Sequence, residues 1–107
     1  MDRVDVLGLP VDVLTEGTLL DEVESRVKQG GQHTVAYLNV HVANVAAQDS
    51  KLTDFLKQVD LCYCDGEGIR LGAKLLGQNL PERMTGADWI WSLAARAEGR
   101  LKLAWIG

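Results

Sequence analysis

The chain has 107 residues and a formal net charge of −4, which suits one domain or part of one. The acidic balance argues against non-specific nucleic-acid binding, because that binding depends on Lys and Arg neutralising phosphates. No apolar run approaches the roughly 18 residues of a spanning helix, and the acidic start "MDRVDVLGLP" lacks the apolar stretch of a signal peptide.

The first third of the sequence predicts a hairpin followed by a helix. Residues 3–14 alternate polar and apolar side chains around a break at residues 8–10, which indicates two short strands joined by a turn. Thr15 or Thr18 can cap the helix that follows, and the glycine pair at 30–31 ends it. The apolar residues of this helix fall at helical spacing: Leu19, Leu20, Val23 and Val27.

The rest of the chain alternates short apolar strands with helices. Compact apolar runs are typical of strands buried on both faces, and they lie at residues 33–40, 60–64 and 101–107. Helical patterns lie at residues 41–48, 49–59, 68–77 and 87–99.

This order predicts an α/β fold, with a mostly parallel, Rossmann-like sheet covered by helices and a short N-terminal β-hairpin. The chain stops on its last predicted strand, with no element after it to cover that strand. We therefore expect a single but incomplete domain, either the N-terminal part of a longer protein or a shortened form of one.

Polar residues follow two of the predicted strands. Asn39 follows the strand at 33–40, and Asp65 follows "DLCYC". Ligands of open parallel sheets bind just past the carboxyl ends of the strands, so neighbouring strands would bring both side chains to one edge. Gly66 and Gly68 would allow close backbone approach, the next helix start favours an anion, and Asp65 could act as a general base.

The pattern around Asp65 has a simpler interpretation. Asp-Gly is a strong turn signal, and Asp65 could merely cap the next helix. From the pattern alone, a turn or cap is the favoured interpretation and catalysis the second. The glycines also lack the G-x-G-x-x-G spacing of a dinucleotide site.

The two cysteines offer a weaker signal. Cys62 and Cys64 point to the same face of a strand, but neither His33 nor His41 forms a recognisable ligand motif with them. Buried structural cysteines are favoured, in a reduced cytoplasmic protein. His41 could touch a substrate beside Asn39, although a helix-start residue without a ligand role is favoured.

The predicted loop at residues 78–86 contains a positively charged side chain, Arg83. Arg83 could clamp a phosphate or carboxylate with two parallel hydrogen bonds, although an ion pair with Glu82 or Asp88 is the favoured interpretation. Thr85 and Asp88 suit the cap of the next helix. The tryptophans at 89 and 91 cannot share one helix face, so one of them would face a missing segment or a partner.

Taken together, the stretch from Asn39 to Trp89 and the terminal strand resemble the WecG/TagA/CpsF glycosyltransferases, and the resemblance covers nearly all of the chain. The matching elements are Asn39, the D-x-x-L at 49–52, "VDLCYCDG", "LLGQNLPERMTGAD" and the terminal "LAWIG". The "LPERMTGAD" stretch is the most specific of them. The resemblance implies bacterial enzymes that transfer N-acetylmannosamine or a related sugar from a UDP-sugar to a lipid-pyrophosphate-linked acceptor, in cell-surface polysaccharide or teichoic acid synthesis.

The resemblance also implies residue roles. Asp65 would be the base of an inverting, metal-independent displacement that needs no cofactor, with Gly66 letting the substrate come close. Asn39, Tyr37 and His41 would line the same pocket, and Arg83 would lie near the acceptor or phosphate. Two positions depart from the family pattern: Tyr37 replaces a Thr linked to the active site, and Glu67 stands where small or apolar residues are common.

The same resemblance sets the expected partners and location. The expected partners are a UDP-sugar and a lipid-linked acceptor. The expected location is the cytoplasmic side of the bacterial plasma membrane, peripheral to its inner face, and a homo-oligomer is compatible with the pattern. Because the family's segment after the last strand supplies much of the nucleotide-sugar pocket, we expect the 107-residue chain alone to be inactive or nearly so. The alternative is a non-catalytic binding or self-association module of the same fold, which would shield an exposed sheet edge.

Overall fold

A computed structural model describes residues 2–81, 84 and 86–106. In chain order, its elements are β1 (Arg3–Val6), β2 (Leu9–Asp12), α1 (Glu16–Gln29), β3 (Val35–Leu38), α2 (Val40–Ala46), α3 (Ser50–Gln58), β4 (Leu61–Cys64), α4 (Glu67–Leu75) and α5 (Gly86–Ala97). The α/β class is confirmed, and all the predicted helices are present. The strands form two small sheets, an antiparallel β1-β2 hairpin and a parallel β3-β4 pair.

The N-terminal hairpin turns on two residues. Leu7 and Gly8 both have positive φ, 55° and 81°, which is the conformation of the type I′ turn that matches the twist of paired strands. The Gly8 amide donates to Asp5 Oδ1 at 2.8 Å. The predicted pair of strands is therefore confirmed, with the turn placed one residue before the predicted break.

The helix starts are fixed by side-chain caps. Thr15, rather than Thr18, is the N-cap of α1, and the two threonines form a reciprocal capping box. Asp49 Oδ1 accepts from the amides of Lys51 and Leu52 at the start of α3, at 3.0 and 3.2 Å. Each cap satisfies amide groups that would otherwise lack partners in the first helical turn.

The parallel pair sends alternate side chains into two separate clusters. On one face, Leu38, Cys62 and Cys64 pack with the hairpin and with α2, α3 and α4. On the other face, Leu61 and Tyr63 pack with side chains of α1 and α5. This division follows from the two-residue period of a strand, and it places α5 over the face that carries Tyr63.

A buried carboxylate joins the hairpin to the parallel pair. Asp12, at the end of β2, is only 2% exposed. Its carboxylate accepts from Arg3 Nε at 2.7 Å, from Arg3 Nη2 at 3.1 Å and from the Cys62 amide at 2.8 Å. The Asp12 side chain thus links β2 to the edge of β4, although the two strands belong to different sheets.

Two expectations about the strands are wrong. Residues 101–106 form no strand; the side chains of Trp105 and Ile106 are 80% and 96% exposed. A strand needs a partner for its backbone groups, and within the described residues this segment has none, so the third strand predicted for the parallel sheet does not form. β3 is also not buried on both faces, because among the described strands it pairs only with β4, and because Tyr37 is 43% exposed.

Among the described helices, none is long and apolar enough to cross a membrane.

Candidate functional site

The two polar residues that follow β3 and β4 lie at one edge of the parallel pair. Leu38 and Cys64 are register partners, and the Asp65 amide donates to Leu38 O at 3.0 Å. Asn39 and Asp65 are the next residues along the two strands, so the predicted juxtaposition is confirmed. Ligands of parallel sheets bind at this edge.

Asp65 carries a carboxylate without a structural task. The residue is partly buried, and its carboxylate oxygens make no hydrogen bond or ion pair with the side chains and backbone that the structure describes. The N-cap of α4 is Gly66, at φ 94°, and none of the side chains that the structure describes caps this helix. The interpretation of Asp65 as a helix cap is therefore wrong, and its oxygens can accept a proton from a ligand.

The surroundings of Asp65 favour proton binding. Burial raises its pKa above the usual value, and the charge of Asp88 raises it further. A carboxylate with a raised pKa is a stronger base near neutral pH. This is the direction that base catalysis requires.

Asn39 has a structural role as well as a place in the site. It is the N-cap of α2, and its Oδ1 accepts from the Val42 amide at 2.7 Å. The oxygen of the carboxamide is therefore used within the fold, and the amide nitrogen is the group left to donate to a ligand. Its role as a substrate-binding residue stays a prediction.

A row of aromatic rings lies on the same face as Asp65. The rings of Tyr37 and Tyr63 are 6.0 Å apart, and those of Tyr63 and Trp89 are 5.8 Å apart in an edge-on arrangement. Tyr63 is buried, and burial raises the pKa of its hydroxyl, whereas the Trp89 indole partly offsets that change. Tyr63 was missed in the sequence, although its position two residues before Asp65 puts both side chains on one face.

The start of α5 is held against the same edge. The Met84 amide donates to Cys64 O at 2.9 Å, and a Cβ on Gly86 would lie 3.7 Å from the Tyr63 hydroxyl oxygen. Asp88 follows in the first turn of α5. It was predicted as part of a helix cap, and its charge contributes to the raised pKa of Asp65. Thr85, its predicted partner in the cap, lies outside the described residues.

Glu67 and Arg70 form a neighbouring structural link. Arg70 Nη1 binds Glu67 Oε1 at 2.9 Å, and Arg70 Nε donates to Leu80 O at 3.1 Å. The departure from the family pattern at position 67 thus supplies an ion pair. The bond from Arg70 to the Leu80 carbonyl connects α4 to the loop that precedes α5.

The other predicted site residues have different positions. His41 is exposed in the first turn of α2, and its side chain makes no hydrogen bond with the described residues, so its role stays a prediction. Arg83 lies outside the described residues, and its clamp role also stays a prediction. The tryptophans at 89 and 91 diverge as expected, since the first packs on Tyr63 and the second is exposed.

The cysteines behave as core residues. Cys62 and Cys64 are both buried and form no disulfide, and burial raises their thiol pKa values to about 12 and about 11. A thiol that resists ionisation is a poor nucleophile and a poor metal ligand. Within residues 2–81, 84 and 86–106, no three His, Cys, Asp or Glu side chains form a group that could hold a metal ion.

The geometry is that of an α/β domain with a carboxylate and an amide at the carboxyl edge of its parallel strands, the edge at which open parallel sheets bind ligands. The sequence profile of the glycosyl transferase WecG/TagA/CpsF family matches residues 4–107, and the chain belongs to that family. It is thus a member of a glycosyltransferase family of cell-surface polysaccharide synthesis, whose substrates are a sugar-nucleotide donor and an acceptor. No individual curated protein matches the chain closely enough to count as a relative.

Proposed function

We propose that Asp65 is the general base of an inverting glycosyltransferase that moves N-acetylmannosamine or a related sugar from a UDP-sugar to a lipid-pyrophosphate-linked acceptor. The observation that carries this proposal is the Asp65 carboxylate itself. It is partly buried and without a hydrogen-bond partner among the described residues, at the edge where Asn39 also lies. A carboxylate kept free of structural contacts is available for a substrate hydroxyl.

The proposed step is a single displacement. A lone pair of Asp65 accepts the proton of the acceptor hydroxyl while that oxygen forms a bond to the anomeric carbon of the donor. The bond from the anomeric carbon to the UDP oxygen breaks on the opposite face, and UDP leaves with the electron pair. The anomeric configuration inverts, and the reaction needs neither a cofactor nor a metal in this proposal.

The neighbouring residues suit the two substrates. Helix α4 begins after Gly66 and has no side-chain cap among residues 2–81, 84 and 86–106, so its first amides are open to an anion such as a phosphate. The Asn39 amide nitrogen and the half-exposed ring of Tyr37 are the proposed sugar contacts, and His41 and Arg83 are proposed contacts of the outer pocket. The lipid-linked acceptor would bring the enzyme to the inner face of the bacterial plasma membrane as a peripheral protein.

The proposed role of Asp65 as general base is tested by Asp65→Asn in the protein as its gene encodes it. Loss of a general base costs on the order of 10² to 10⁴ in rate, and Asn keeps the size of the side chain. Asp54→Asn, on the exposed surface of α3, removes the same charge elsewhere and should leave transfer unchanged. Near-normal sugar transfer by a folded Asp65→Asn protein would remove the mechanism.

The activity of the 107-residue chain alone is a separate question. We propose that it is inactive or nearly so, because the family resemblance assigns much of the donor pocket to later residues. Robust turnover of a UDP-sugar with a lipid-linked acceptor analogue by this chain would contradict that proposal.

A second candidate function, self-association without chemistry, has one observation in its favour. The side chains of Trp91, Trp105 and Ile106 are largely exposed, and β3 has an open edge. Such apolar surface is typical of an interface. Concentration-dependent mass in light scattering, together with no nucleotide-sugar binding in calorimetry, would favour this candidate over the enzyme.

A further inference from the structure

Three aromatic rings form a row across the parallel pair, two residues before the edge that carries Asn39 and Asp65. Tyr37 and Tyr63 are register partners on β3 and β4, and their ring centroids are 6.0 Å apart. The Trp89 ring of α5 also contacts Tyr63, edge-on, with the centroids 5.8 Å apart. Side chains of directly opposite strand residues pack on each other, so the register of the sheet brings the two tyrosines together.

The two tyrosines differ in how far they are buried. Tyr63 is 4% exposed and packs among side chains of α1 and α5, and a Cβ on Gly86 would lie 3.7 Å from its hydroxyl oxygen. Tyr37 is 43% exposed. Tyr63 is therefore enclosed by the fold, whereas Tyr37 presents part of its ring to a molecule that binds at this edge.

The exposed ring lies within reach of a sugar held at Asp65. The Asp65 amide donates to Leu38 O at 3.0 Å, so the parallel pairing continues to Asp65. Strand rise and strand spacing then put the Cα atoms of Tyr37 and Asp65 about 8 Å apart. The electron-rich face of an aromatic ring packs well on C–H groups, and one face of a sugar ring consists largely of such groups.

We propose that Tyr63 is a positioning residue of the transferase site, which holds the Tyr37 ring as a flat stacking surface for the transferred sugar. This inference rests on the proposed function, in which the sugar and Asp65 meet at this edge. An exposed side chain without a neighbour loses rotamer freedom when a ligand binds, and that loss weakens binding. Tyr63 reduces the loss, because it already packs against Tyr37 in the protein without substrate.

The first test measures kcat and KM in the protein as its gene encodes it. Tyr63→Leu removes the supporting ring and should raise KM for the UDP-sugar about 3- to 10-fold, with kcat within about twofold of the parent. Tyr63→Phe keeps the ring and should keep both constants. Phe55→Leu removes a half-exposed ring from α3 and, as the remote control, should change neither constant.

The second test measures binding by calorimetry and needs no turnover. Tyr63→Leu and Tyr37→Leu should each weaken UDP-sugar binding about 3- to 10-fold and leave UDP binding unchanged, because UDP lacks the sugar. In a Tyr37→Leu background, Tyr63→Leu should add less than about twofold, since it acts through Tyr37. Tyr63→Met fills the same buried space with a flexible side chain and replaces Tyr63→Leu if that variant does not fold.

Three results would each overturn the inference. They are equal weakening of UDP and UDP-sugar binding in Tyr63→Leu, its full effect in the Tyr37→Leu background, and a parent-like UDP-sugar affinity in Tyr37→Leu. A fall in kcat at unchanged KM would show that Tyr63 is merely structural, with the same consequence. Retained transfer in Asp65→Asn would instead refute the proposed base, while calorimetry would still report whether the two tyrosines act together on the sugar.

Discussion

Replacement of Asp12 should loosen the link between the hairpin and the strand that carries Asp65. In Asp12→Ala, the buried Cys62 amide loses its acceptor, which costs about 1–3 kcal/mol. The Arg3 bond adds only about 1 kcal/mol, because the Arg3 side chain is 37% exposed and water can replace its partner. The expected loss is therefore about 2–4 kcal/mol in the free energy of unfolding, a large share of the roughly 5–15 kcal/mol of a typical domain.

Urea denaturation of the 107-residue chain measures this loss from the midpoint, provided that the slope is unchanged. Asp12→Asn should lose less than Asp12→Ala, because its carboxamide oxygen can still accept from the Cys62 amide. Asp54→Ala, on the exposed surface of α3, is the matched control and should change stability by no more than about 0.5 kcal/mol. An Asp12→Ala protein as stable as the parent would show that the carboxylate does not hold the hairpin to β4.

Three further predictions follow from the site and its core. The raised pKa of Asp65 means that its ionised form destabilises the folded state, so Asp65→Asn should raise the Tm at pH 7 and lose this advantage below about pH 4, where both states are protonated. A Cβ on Gly68 would run into Val40 Cγ2, so Gly68→Ala should destabilise the fold by about 1 kcal/mol despite the better helix propensity of Ala. This loss of stability should disappear in a Val40→Ala background. The urea midpoints of the single and double variants measure both effects. Cys62 and Cys64 should react slowly with a thiol reagent at pH 8 until urea unfolds the chain, because they are buried with raised pKa values; rapid labelling of the native protein would show that this part of the core opens readily.

The sequence predicted the site edge because that edge depends on local pattern. Two short apolar runs ending in Asn39 and Asp65 are enough to place both residues together once the strands pair in parallel. The caps Thr15 and Asp49 were predictable for the same reason, since a cap is decided by residues within one helical turn.

The features that the sequence did not predict depend on distant packing. Residues 101–106 have the apolar pattern of a strand, but a strand forms only beside a partner, and pattern does not supply one. The contacts of Tyr63 with Trp89 and of Met84 with Cys64 arise because α5 packs over β4, which brings residues from separate elements together. The buried role of Asp12 is likewise a contact between elements 50 residues apart in the chain.

The alternation of β4 separates the chemistry of this protein from its main core. Cys62 and Cys64 belong to the cluster with the hairpin, and Tyr63 belongs to the cluster beside Asp65. Substitutions on the Tyr63 face should therefore leave the opposite cluster largely undisturbed, because the strand sends the two sets of side chains to opposite sides. We propose that exchanges at Tyr37, whose ring lies beside Tyr63, can change the preferred sugar on one unchanged scaffold.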